Sequence, residues 1–268
     1  MLSAQTAIHR YQRDVAVGFL LRALMLVGLA LSGLVLPFVL PGFNAAVGLS
    51  VVFAVWLMLS VTSAKNSRIL APSPELIASG QFEEAERRID EALRAFSISR
   101  TSKLIGLHHL AVLRHKQRRW QESATLCRAV LAQRLGTTAE GLGKASRLML
   151  ADALLELGDV RGAGEALGSM QGQQLGLNEL LTMMQVELDY LSRVGAWDRM
   201  MAGLPTKVQL AEVMPPEASA RTQAMLGLAA MKSGRPDWAD WLRRRVELLA
   251  DVGKLTAERS VLWELWKK

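Results

Sequence analysis

Residues 148–167 read LMLADALLELGDVRGAGEAL, and this stretch decides the fold. Leu150, Ala151 and Leu154 make an apolar face at helical spacing. Gly158 and Asp159 then stop the helix. Val160, two positions after the glycine, opens a second helix and packs back on the first. Ala163 sits three further on, where the two helices touch, and Leu167 and Met170 continue the same face.

The phrase recurs on both sides. Upstream it is Gly80-Gln81-Phe82-Glu83-Glu84-Ala85, followed by Ile89 and Ala92, and then Arg119-Trp120-Gln121-Glu122-Ser123, followed by Cys127 and Val130. Downstream it is Gly195-Ala196-Trp197-Asp198-Arg199-Met200 with Leu204, and Gly234-Arg235-Pro236-Asp237-Trp238 with Trp241. The apolar landmarks Phe82, Trp120, Val160, Trp197 and Trp238 stand 38, 40, 37 and 41 residues apart. A period of this size is the mark of stacked helical repeats, each too small to bury its own face. Ser73-Pro74-Glu75, with a capping serine, proline in the first turn and an acid behind it, begins the array.

Over roughly residues 73–250 the chain resembles the tetratricopeptide repeat family, although its spacing exceeds that family's period of about 34 residues. The resemblance implies an all-α protein whose residues 73–253 form a right-handed α-solenoid of about five helix-turn-helix repeats. Residues 254–268, with Val261, Leu262, Leu265 and Trp266, then close the last repeat as an amphipathic capping helix. In this family the first helix of each repeat lines a concave groove that holds protein partners. Matching by the landmarks places His108, Val112, His115 and Lys116 on that groove in the second repeat. Leu148, Asp152 and Leu155 line it in the third, and Gln185, Asp189 and Arg193 in the fourth. The Lys, Asn and Arg set with which some members clamp a partner's terminal carboxylate is absent.

The first quarter of the chain is of another kind. Ala23 to Leu40 and Ala45 to Thr62 are two stretches of 18 residues without a charge. At 1.5 Å per residue each spans roughly 27 Å, close to the hydrocarbon thickness of a bilayer. Pro41-Gly42-Phe43-Asn44 between them is long enough to reverse a helix and too short to recross a membrane. The reading is a transmembrane hairpin over residues 17–63 (helices 17–40 and 45–63), with an N-terminal segment 1–16 before it and a linker 64–72 after it. Gly28 and Ser32, and Ala46, Ser50 and Ala54, are small residues four apart that permit close helix packing in lipid.

The charge distribution agrees. The net charge is +7, yet residues 1–68 carry five basic residues against the single acid Asp14, while the other 200 residues hold 27 basic and 24 acidic residues. The excess therefore flanks the apolar segments, which points to membrane topology rather than to nucleic acid. Arg10 and Arg13 before the hairpin, and Lys65 and Arg68 after it, place both flanks and the repeat domain in the cytoplasm. The Ala-, Leu-, Gly- and Arg-rich composition suggests a bacterial inner membrane, and the first 13 residues, basic and without acids, leave a mitochondrial membrane as the alternative. The basic runs Arg114 to Arg119 and Arg243-Arg244-Arg245 are solvated faces or contacts to anionic lipid.

No phosphate-binding loop, dinucleotide fingerprint or nucleophile elbow occurs in the sequence. His108 and His115 share a helix face but lie two turns apart, about 10 Å, too far for one metal. Cys127, the single cysteine, cannot form an internal disulfide. The sequence thus predicts no enzyme, no cofactor and no metal, but a membrane-anchored scaffold or adaptor that binds protein partners. The alternative is an accessory or regulatory subunit of a membrane transport or secretion complex, acting through the hairpin.

Overall fold

The computed structural model describes residues 2–31, 45–97, 99–133 and 140–267. Among them there is no strand. Fourteen α-helices and a closing 3-10 helix make the protein all-α. They are α1 (Ala4–Ala30), α2 (Ala45–Leu70), α3 (Ser73–Ala78), α4 (Phe82–Arg94), α5 (Arg100–Lys116), α6 (Trp120–Leu131), α7 (Glu140–Glu156), α8 (Val160–Gly168), α9 (Leu177–Arg193), α10 (Trp197–Met201), α11 (Leu204–Glu212), α12 (Pro216–Lys232), α13 (Pro236–Leu249) and α14 (Val252–Glu258), then the 3-10 helix Ser260–Trp266. The chain divides within α7 into two compact units, Met1–Met149 and Leu150–Lys268.

The five recurring phrases are five copies of one turn. Gly80, Arg118, Gly158, Gly195 and Gly234 all have positive φ, between 59 and 79°. The N–H of each following residue (Gln81, Arg119, Asp159, Ala196, Arg235) donates to the carbonyl five residues back, at 2.8–2.9 Å. The N–H of the left-handed residue itself donates to the carbonyl three back. This pair of bonds satisfies carbonyls that a helix end leaves open and turns the chain straight into the next helix. Glycine takes the left-handed conformation without a Cβ clash, whereas Arg118 takes it at a cost of roughly 1–2 kcal/mol. The residue five positions after each left-handed one is buried: Ala85, Ser123, Ala163, Met200 and Ala239. Ser123 also donates its hydroxyl to the Ala111 carbonyl at 3.1 Å, tying α6 to α5. In the fifth copy this register puts Pro236, not Trp238, where Phe82 stands in the first. In the fourth, Gly203 (φ 65°) breaks the second helix into α10 and α11.

The membrane expectation is met in part. Among the described residues one helical stretch, Ala46–Ala78, is long and apolar enough to cross a bilayer, and little of it is buried. The first expected span, 17–40, is described only as far as Leu31, and the turn 41–44 lies outside the described residues. Where both helices are described they meet: a Cβ on Gly28 would stand 3.6 Å from a Val52 methyl. Ser50, one of the small residues of α2, bonds back to the Ala46 carbonyl at 2.7 Å.

Neither helix hangs from a loose tether. Residues 64–70, read from sequence as linker, continue α2, and Asn66 near its end donates to the Phe96 carbonyl at 3.0 Å. Ser67 and Ser102 share a hydrogen bond of 2.8 Å. The first half of α1 is a full member of the helical unit and packs on α4, α5 and α6. Its buried residues Ala4, Ala7, Tyr11, Asp14 and Gly18 alternate three and four apart, the stripe of a helix lying along neighbours. Polar groups fix it there. Arg10 pairs with Asp90 at 2.6 Å, the Tyr11 hydroxyl donates to Gln133 at 3.0 Å, and buried Asp14 pairs with buried Lys103 at 2.7 Å.

In the second unit a continuous core runs through Met200, Leu226, Ala229, Leu242, Val246 and Leu262. The closing 3-10 helix belongs to it. Leu265 lies so close to α12 that a Cβ on Gly227 would be 3.1 Å from its methyl carbon.

Candidate functional site

The residues expected on a groove fall into different surroundings. In the first unit His108 is largely buried, and its Nδ1 lies 3.0 Å from the hydroxyl of buried Ser146. Burial, with a smaller contribution from His109, pushes its pKa down to about 4. His115 presents an edge contact to Trp120, with ring centroids 4.8 Å apart. Val112 is half-buried and Lys116 exposed, while Leu148 faces inward and is buried.

The His108 environment has a pH consequence. The folded side chain stays neutral until about pH 4, whereas the unfolded one protonates at its ordinary value of 6.5. Between those values the unfolded chain takes the extra proton, so stability falls as pH falls through this window and is unaffected above it. The loss should reach about 3 kcal/mol at the bottom of the window. His109, also pushed down by burial, adds to it. Urea midpoints at pH 7.5 and 4.5 should separate less in His108→Asn than in the wild type.

In the second unit Leu155 is fully buried in the core, and half-buried Gln185 reaches the Thr222 hydroxyl at 3.5 Å. Asp152, Asp189 and Arg193 come together in a charged cluster that also includes Glu156 and Arg259. The carboxylates of Asp152, Glu156 and Asp189 lie within 4.8 Å of one another. Arg259 bridges two of them, at 2.9 Å to Glu156 and 2.9 Å to Asp189. Arg193 pairs with Glu156 at 3.2 Å and Asp189 at 3.6 Å, and donates to the Leu155 carbonyl at 2.6 Å. Two guanidiniums thus face three carboxylates, offsetting two of the three negative charges. The chain matches no family model, no curated protein and no solved structure.

Arg259 arrives on the C-terminal stretch, which is fastened to α12 and α13. Lys254 pairs with Glu217 at 2.8 Å, Glu264 with Lys232 at 2.5 Å, and the Trp266 indole donates to Glu247 at 2.9 Å. Asp189, expected on a groove, is therefore held by Arg259. Glu156 was available to sequence reasoning, since it stands one turn beyond Asp152 on the same helix. Arg259 was not, because its contact with Asp189 spans 70 residues with no local pattern.

Proposed function

We propose that the protein is a membrane-anchored scaffold. A two-helix hairpin in a bacterial inner membrane carries a tetratricopeptide-like solenoid on the cytoplasmic side, and the first-helix faces of the repeats receive protein partners. One observation carries the anchor: α1 and α2 each bury one end in the helical unit and leave large apolar side chains bare at the other. Phe19 is 76% exposed and Met58 70%. A continuous bare surface of this kind needs lipid to cover it. The basic residues Lys65 and Arg68 follow the apolar part of α2, and Arg10 and Arg13 precede that of α1, which supports the cytoplasmic placement of the repeats. Five copies of one turn at nearly constant spacing support the repeat reading. Fixing partners beside a membrane raises their effective concentration for one another.

The test uses full-length protein in native membranes, with a photo-crosslinking residue in place of Lys116 or Gln185. Both positions should give discrete protein adducts, and Arg161 on the second helix of its pair should give none. Adducts arising only from positions in α1 or α2 would move the binding activity to the anchor. The absence of adducts at every position would end the scaffold reading.

A further inference from the structure

A cavity of about 850 Å³ opens between α1 and α2 in the first unit. Leu26, Leu29, Leu49 and Val52 make most of its wall apolar. Phe53 and Trp56, stacked with ring centroids 5.9 Å apart, line it too. The wall becomes polar toward the helical unit, where Ser60, Ser63 and Ser99 face the cavity.

The polar groups at that end differ in what they bind. Ser99 caps α5, its oxygen accepting from the Ser102 N–H at 3.3 Å and the Ser102 hydroxyl at 3.1 Å. Ser63 accepts from Ser97 at 3.2 Å, and Arg22, which also lines this end, has an interaction of its own. Elsewhere on α2, Ser50, Thr62 and Ser67 donate back to carbonyls three or four residues earlier, at 2.7, 2.9 and 3.3 Å. Ser60 does not. Among the described residues its half-buried hydroxyl meets no hydrogen-bond partner, and it lines the cavity. A hydroxyl beside hydrocarbon is costly until it finds an acceptor. From Ser60 the apolar arm runs about 16 Å along α2 to Leu49. A ligand that satisfies this cavity has one uncharged acceptor at the level of Ser60 and a hydrocarbon chain beyond it. The ester carbonyl and acyl chain of a glycerolipid have that form.

We infer that the cavity holds one acyl chain of a glycerolipid, its ester carbonyl accepting from the Ser60 hydroxyl and its chain lying along Leu26, Leu29 and Leu49. The site rests on the membrane reading above and continues the bare apolar faces of α1 and α2 inward. It adds to that reading a preference for the ester linkage, whatever the headgroup. A cavity of this size suits a chain-sized ligand, and a hydrogen bond counts for more where little water competes for it.

The experiment takes full-length protein in nanodiscs containing equal amounts of two phosphatidylcholines with chains of the same length, one ester-linked and one ether-linked. The protein is released into mild detergent, and retained lipid is counted by native mass spectrometry. The wild type should retain one lipid, the ester form being preferred about fivefold, the worth of one neutral hydrogen bond. Ser60→Ala should keep the lipid and bring the preference close to one. Leu29→Trp, which fills the apolar arm, should abolish retention of either lipid, and Val55→Trp, on α2 but outside the cavity, should not. Equal retention of both lipids by the wild type, or an unchanged preference in Ser60→Ala, overturns the proposal. Equal loss in Leu29→Trp and Val55→Trp would mean ordinary surface lipid, and a lipid-free dimer would give the arm to a second copy of the chain; either result overturns it too. Failure of the protein to stay with the nanodiscs at all would instead overturn the membrane reading.

Discussion

Replacing Arg114 with alanine is expected to destabilise the first unit by about 3–5 kcal/mol, the cost of breaking a buried pair from one side. The Arg114 side chain is fully buried at the end of α5. Its guanidinium grips Glu86 with two bonds, 2.9 and 3.1 Å, and donates to Gln117 at 2.7 Å and to the Leu2 carbonyl at 2.6 Å. Glu86 in turn accepts from the Leu2 N–H at 2.6 Å, so both backbone polar groups of Leu2 are held by one ion pair. Without the arginine, Glu86 is left largely buried and the start of α1 loses its fastening. Lysine should not restore it, because an ammonium cannot make the forked contact. The hydrogen bonds from Arg114, ahead of the Leu2 N–H, hold the Glu86 carboxyl below its ordinary value of 4.5. Its contribution is therefore complete above that value and disappears as pH falls through the lower, folded one. Arg114→Ala should remove this acid dependence along with the stability. Urea unfolding followed by tryptophan fluorescence measures both, and protease cutting near residues 5–15 should appear in the variant.

Asp14→Ala should cost about 3 kcal/mol for a related reason. Asp14 is the one acid among the first 68 residues, and it is buried against Lys103. Burial pushes the Lys103 ammonium below its ordinary pKa, and Asp14 opposes that push. Alanine leaves a desolvated cation with only the backbone carbonyls at the end of α4. The loss should appear as a lower midpoint in thermal unfolding of the detergent-solubilised protein. Asp14→Asn, which keeps the shape but not the charge, should fall between alanine and the wild type. A wild-type midpoint in Asp14→Ala would mean that α1 is not docked through this pair.

Both expectations concern a helix whose role was only half visible in the sequence. The apolar run from residue 17 announces itself by hydropathy. The docking stripe that leads into it, Ala4, Ala7, Tyr11, Asp14 and Gly18, holds one large side chain among small and polar ones. Its period is present, but its hydrophobicity is weak, so residues 1–16 read as a flank. The turns were legible because four of the five carry glycine at the left-handed position, and the phrase around Trp120 revealed the fifth even though Arg118 stands where a glycine is expected. The break at Gly203 was missed: Leu204 fits the apolar face of a continuing helix, and Pro205 just after it is equally at home in the first turn of a new one. At the candidate site, the landmark register placed residues on helices but did not orient them. Leu148 and Leu155 point into packed interiors, and the partner of Asp189 comes from a distant C-terminal segment. Long-range ion pairs leave no periodic trace in a sequence.

We propose that α1 and α2 run without a hinge from lipid into a helical unit at the cytoplasmic face. Nitroxide accessibility in reconstituted bilayers tests it most directly. The native Cys127 is buried, and burial pushes its thiol up to about 12, so it stays unlabelled beside an introduced cysteine. A label at Phe53→Cys should collide readily with oxygen and hardly with a water-soluble nickel chelate, and one at Ser79→Cys should do the reverse. Equal access of the chelate to both positions would mean that water, not lipid, covers α2, and the account would be contradicted.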